Sequence, residues 1–167
     1  MTAAELLEDF DAEMAGTRKI LERLPEDGDY KPHEKSMPSG RLAMHVAGLP
    51  LFAKYIMITP EMDLTNNPMP KADMTYRTRD LTLATFDSNV IEARKAISAA
   101  SELDLATTWK FGFGDRVISN ETRSRTYRIM FFNHLIHHRA QLGVYLRLND
   151  LPVPGLYGPS ADEPFQM

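Results

Sequence analysis

At 167 residues the chain fits one domain, 1–167, long enough to bury roughly two thirds of the surface its unfolded form exposes. With 43% hydrophobic and 25% charged residues, a formal net charge of -4 and no Lys/Arg-rich run, neither disorder nor a nucleic-acid footprint is expected. Cysteine is absent, so there is no disulfide and no thiolate zinc site, and any metal must take nitrogen and oxygen ligands.

The N-terminus carries Glu5, Glu8, Asp9, Asp11 and Glu13 with neither a basic nor an apolar signal region. No stretch approaches about 18 uninterrupted apolar residues. No membrane association and a cytoplasmic location are therefore expected.

Thr2 reads as an N-cap with Glu5 closing a capping box, and Leu6, Leu7, Phe10, Met14, Thr17, Ile20, Leu21 and Leu24 recur at helical spacing until Pro25. After a loop from Pro25 to Pro38, Ser39 is the expected cap of a second helix that stops at Thr59-Pro60. Pro50 lies inside this helix, cannot donate to the Val46 carbonyl, and predicts a kink about one turn after His45. Pro60 to Thr78 reads as a long loop. A third helix, beginning near Thr78 to Asp80 with either of these two as its cap, carries Leu81, Leu83, Ala84, Phe86, Asn89, Val90, Ala93, Ile97 and Ala100.

Residues Thr107 to Phe111 and Arg116 to Ile118 flank Gly112-Phe113-Gly114-Asp115, which predicts a small β-hairpin. A fourth helix is expected from about Glu121 to Leu148, followed by an irregular, proline-rich tail. The fold class is all-α: a four-helix bundle with the hairpin between helices three and four.

Three of the five histidines lie in Asn133-His134-Leu135-Ile136-His137-His138-Arg139-Ala140-Gln141, and a fourth, His45, lies in the second helix. Histidines four apart stand about 40° and roughly 6 Å from each other on one helix face, a spacing that suits chelation. On helical wheels His138 falls inside the apolar arc of Phe131, Leu135, Leu142 and Leu146, and His134 lies at its edge with Gln141 and Tyr145. His45 falls among Leu42, Val46, Leu49 and Phe52, whereas His137 turns about 60° toward the polar side. All three of His45, His134 and His138 can thus meet in the interior. Unpaired, they would be costly to bury; a divalent metal removes that cost, and three imidazoles leave open positions on zinc, nickel, iron or copper. Core packing is the competing role for each of them taken singly.

Other chemistries lack their residues. Leu135 follows His134 where the zinc-peptidase pattern needs glutamate, no phosphate-binding glycine loop is present, and the Glu-x-x-His pattern of di-iron bundles is missing.

The motifs Lys31-Pro32-His33-Glu34-Lys35-Ser36, Leu42-Ala43-Met44-His45-Val46-Ala47 and Asn133 to Leu142, with Tyr145-Leu146-Arg147 and Pro154-Gly155-Leu156-Tyr157-Gly158-Pro159, resemble the DinB-like (DinB/YfiT) metal-enzyme superfamily over nearly the whole chain. The resemblance implies a four-helix bundle, a homodimer, and His45, His134 and His138 as ligands of one divalent ion. Zinc and nickel are favoured over iron and manganese. Ala140 stands where the family has glycine, away from any ligand. Members with assigned activities are thiol-dependent S-transferases and isomerases, so a low-molecular-weight thiol and a small-molecule substrate are implied, with hydrolysis the neighbouring reaction.

The catalytic acid or base is not identifiable. Gln141 and Tyr145, then Tyr157 and Arg139, are the candidate pocket residues, although Arg139 has the alternative of pairing with an acidic side chain. The alternative function is a noncatalytic metal- or small-ligand-binding bundle, in which Met57, Met62, Met69 and Met74 furnish an adaptable wall, with irregular core packing as their more ordinary use.

Overall fold

The computed structural model describes residues 2–67 and 73–165, so Met69 lies outside the described residues. Helix α1 spans Ala3–Leu21, and the Thr2–Glu5 capping box forms as the sequence predicts. Helix α2 spans Ser39–Ile58 and runs through Pro50 without ending. Its N-cap is Pro38 rather than Ser39, and no side chain caps it: the Ser39 and Gly40 amides donate instead to the loop carbonyls of Tyr30 and Gly28 at 2.7 and 2.9 Å. Helix α3 spans Arg79–Ala99 with Thr78 as its cap.

A short helix α4, Glu102–Ala106, follows, held by a Ser101–Asp104 capping box. The hairpin strands are β2, Thr108–Phe113, and β3, Arg116–Thr122. A further strand, β1 at Glu61–Asp63, lies in the stretch expected to be only a loop and pairs parallel with β2, giving the sheet order β1-β2-β3. The Asp63 carboxylate accepts from the amides of Thr65, Asn66 and Gly114, which ties the end of β1 to the hairpin turn. Gly114 has a φ of 57°, which favours glycine, and a side chain at Gly112 would meet the Arg116 carbonyl at 2.5 Å.

The fourth helical rod begins at Arg123 rather than Glu121, because Glu121 and Thr122 complete β3. It is one unbroken run of three parts: α5, Arg123–Thr126; a π-helical segment, Tyr127–Phe132; and α6, Asn133–Leu148. The π-helical segment corrects the uniform 3.6-residue wheel, since its wider turns shift the phase of everything before Asn133.

Helices α2 and α3 pack most extensively, α1 lies against α3 and α6, and α6 closes the ring against α2. The four long helical elements thereby form a bundle with α1 and α2 at opposite corners. Its core holds Phe10, Leu42, Val46, Ile56, Phe86, Ile97, Phe131, Leu135 and Leu142 with Trp109 from the sheet. Met57 and Met62 are buried there rather than lining a wall. α2 is long and apolar enough to cross a membrane by composition alone, but 56% of that stretch is buried in the bundle, as befits a core helix. The tail from 151 to 165 has no regular helix or strand.

Candidate metal centre

Around His45 the buried positions of α2 are Leu42, Ala43, Val46, Ala47 and Leu49, and His45 stands half-buried at their margin. On α6 the buried positions are Leu135, Arg139, Leu142 and Leu146, while His134, His138, Gln141 and Tyr145 form a half-buried stripe alongside them. Packing α2 against α6 turns the two margins toward each other. The structure brings His45, His134 and His138 together, each offering a nitrogen within 4.8 Å of the others.

The ring centroids of His45 and His134 are 5.1 Å apart, and each lies 4.6 Å from that of His138. Two imidazole nitrogens bound at about 2.0–2.1 Å to one ion, at roughly 90–110°, stand about 2.9–3.4 Å apart. The Nε2 atoms of His45 and His134 are separated by 3.2 Å.

The outer nitrogens are engaged. Nδ1 of His138 lies 2.7 Å from Gln141 Oε1, and Nδ1 of His134 lies 3.3 Å from the Met130 carbonyl. Both partners are oxygens that only accept, which places the proton on Nδ1 and leaves an Nε2 lone pair on each ring. This is the outer-shell arrangement by which metal-binding histidines are oriented. Met130 belongs to the π-helical segment, whose placement the sequence did not signal.

Burial, reinforced by the charges of His138, His134 and Arg41, pushes the His45 imidazole down to about 4. Burial also lowers His138, against the opposing effect of the Gln141 hydrogen bond. Both rings are therefore neutral near pH 7, the state that ligates. The donor set, its spacing and its tautomers fit a divalent ion with affinity for imidazole.

The remaining candidates are placed elsewhere. His137 is exposed, with its ring against His138 at 4.9 Å between centroids, and His33 is an exposed loop residue whose Nδ1 accepts from the Lys35 amide. Gln141 touches the cluster through His138. Tyr145 continues the stripe but donates its hydroxyl to the Met37 carbonyl at 3.2 Å. Arg139 turns to the opposite side of α6, where it is 2% exposed, pairs with Glu13 at 2.6 Å, and donates to the Glu13 carbonyl, Thr17 and the Tyr157 hydroxyl. Tyr157 also donates to Glu13, so these two tie α1, α6 and the tail together rather than joining the histidines.

No family model matches the chain. The uncharacterized protein YrdA of Bacillus subtilis (strain 168) is 25% identical over 166 residues, covering 97% of this chain and 92% of that protein. Among solved structures, the crystal structure of a DinB-like protein from Bacillus cereus ATCC 10987 aligns with a TM-score of 0.67 and 21% identity, over 93% of this chain and 98% of that one. The chain has the DinB-like fold, and within it His45, His134 and His138 of this chain form a cluster spaced to hold a metal ion.

Proposed function

We propose that the protein is a metal-dependent enzyme acting on a small molecule, with His45, His134 and His138 as the ligands of one divalent ion, zinc or nickel first. The observation that carries this reading is the convergence of three imidazoles, two of which have Nδ1 committed to oxygen acceptors. A bound ion would supply Lewis acidity, lowering the pKa of a small-molecule thiol or of water at its open positions.

The chain's own residues prepare that chemistry. Gln141 orients His138, the Met130 carbonyl orients His134, and the apolar neighbours of α2 keep His45 unprotonated. Thiol transfer is placed ahead of hydrolysis on the family resemblance. The three-ligand set supports either reaction by leaving positions free for substrate.

The test is metal content by mass spectrometry on protein made without a histidine tag, native and His45→Ala, His138→Ala, followed by a screen of low-molecular-weight thiols with electrophiles and of hydrolysable esters and amides. One equivalent of metal per chain in the native protein only, with metal-dependent turnover, establishes the reading. Metal without turnover would favour the noncatalytic binding module, and native protein that takes up none of zinc, nickel, iron or manganese would overturn both.

A further inference from the structure

Gly48 lies in the middle of α2, three residues after His45, where glycine weakens a helix relative to alanine. A Cβ added there meets no described atom within 4 Å. Packing therefore does not demand the glycine. Gly40 and Gly16 are different: a Cβ at Gly40 would strike Tyr76 at 2.5 Å, and one at Gly16 would press on Arg139 at 3.2 Å.

At about 100° per residue, Arg41, His45, Gly48 and Phe52 fall within about 60° of one another on α2. All four are exposed or half-buried, whereas Leu42, Val46, Leu49 and Ala53 beside them are buried. α2 thus presents a stripe that the bundle leaves open, and the candidate metal centre lies along it.

The two ends of the stripe differ in chemistry. Every arginine among the described residues makes an ion pair or side-chain hydrogen bond except Arg41 and Arg116. Arg41 also borders a cleft of about 340 Å³, which Glu26, Asp27 and Asp29 share. At the other end the Phe52 ring packs edge-on against Trp109 and Phe111, at 6.1 and 5.8 Å between centroids.

We infer that this stripe is the floor of a substrate groove whose ligand is a small organic carboxylate with an apolar or aromatic body. The carboxylate sits on the Arg41 guanidinium, where a bidentate pair forms. The body crosses the bare backbone at Gly48, and its apolar end rests against Phe52. The cleft beside Arg41 carries Glu26, Asp27 and Asp29, and its second guanidinium, Arg77, is already paired with Asp73, so that end suits a single negative charge and disfavours a phosphate dianion. That the reacting group is carried past the histidines rests on the metal-enzyme reading; the groove itself does not.

The test is calorimetric titration of the full chain with ω-phenylhexanoate and with its neutral amide, with metal content and thermal unfolding measured on the same samples. The carboxylate should bind saturably. The amide, and the Arg41→Gln variant, should each bind about tenfold more weakly, the size expected of one charge-assisted pair. Gly48→Leu should abolish binding with metal content unchanged, Gly48→Ala should unfold at or above the native temperature, and Arg116→Gln should bind normally.

No saturable binding, equal affinity for acid and amide, or full binding by folded Gly48→Leu would overturn the groove. Native protein that holds no metal yet discriminates acid from amide through Arg41 and Gly48 would uphold the groove and sink the metal reading alone.

Discussion

His138 donates from Nδ1 to Gln141 Oε1 at 2.7 Å, three residues along the same helix, so the ring that faces His45 is held from behind. Replacing Gln141 by Leu removes that support while leaving the three imidazoles in place. Metal affinity, read by competition with a chromophoric chelator, is expected to fall about 10–100-fold. The metal-free protein should melt near the native temperature. Unchanged affinity would show that His138 needs no outer partner.

The metal-free protein should lose stability as pH falls from about 6.5 toward 4. His45 titrates near 4 in the folded chain and near 6.5 when unfolded. Between those values the unfolded chain binds a proton that the folded chain refuses, so stability is fully present above the unfolded value and declines below it. His138, lowered chiefly by burial, adds in the same direction. Thermal unfolding of chelator-treated protein across this range should show the slope, and His45→Gln should flatten it. A slope that persists undiminished in the variant would assign it to other groups.

Arg139→Ala should be among the most damaging single changes outside the core. Its guanidinium is 2% exposed and its partner Glu13 only 12%, so truncation strands a carboxylate with little water. The expected loss is about 3–5 kcal/mol in urea unfolding. Tyr157→Phe removes the hydroxyl that donates to Glu13 and accepts from Arg139, but leaves the Arg139–Glu13 pair in place on a ring that is itself exposed, and should cost about 1–2 kcal/mol. A loss below about 1 kcal/mol for Arg139→Ala would contradict the assignment of a buried tie.

Arg123→Ala should weaken the end of α2. That helix has no basic residue in its last turn, and the Arg123 guanidinium from α5 donates to the carbonyls of Ile56 and Thr59. Trp109 donates to the same Thr59 carbonyl at 3.1 Å. Hydrogen exchange of amides near the C-terminus of α2 should quicken, with a loss of about 1.5–3 kcal/mol, the range for a hydrogen bond to a charged group. Exchange no faster than in the native chain would place the capping elsewhere.

The long helices were legible because their signals are local. Thr2 with Glu5, Thr78 before Leu81, and the spacing of Leu135, Leu142 and Leu146 act within a turn or two of themselves, and each takes the form expected. The histidine cluster was legible because His45, His134 and His138 sit beside apolar arcs whose burial decides where they point.

What escaped depends on distant partners or on phase. β1 is three residues long and exists through pairing with Lys110, Phe111 and Gly112, about fifty positions later. Arg139 is buried because Glu13 waits on α1, a pairing that one helix cannot announce. The π-helical turn at Tyr127–Phe132 carries no local mark that would separate it from an ordinary helix. The Ser101–Asp104 box of α4 was present in the residues, but too few apolar positions follow it to stand out.

Two of the three imidazoles ride on α6 and the third on α2. The α6 pair moves as a rigid unit, so a single coordinate, the separation of these two helices at His45, makes or breaks the cluster. Whatever draws α2 and α6 together tightens all three nitrogens at once, and whatever wedges them apart releases them together. The cluster therefore works as a clasp across one helix seam of the bundle, with α3 packed behind α2 and α1 tied behind α6 through Glu13 and Arg139.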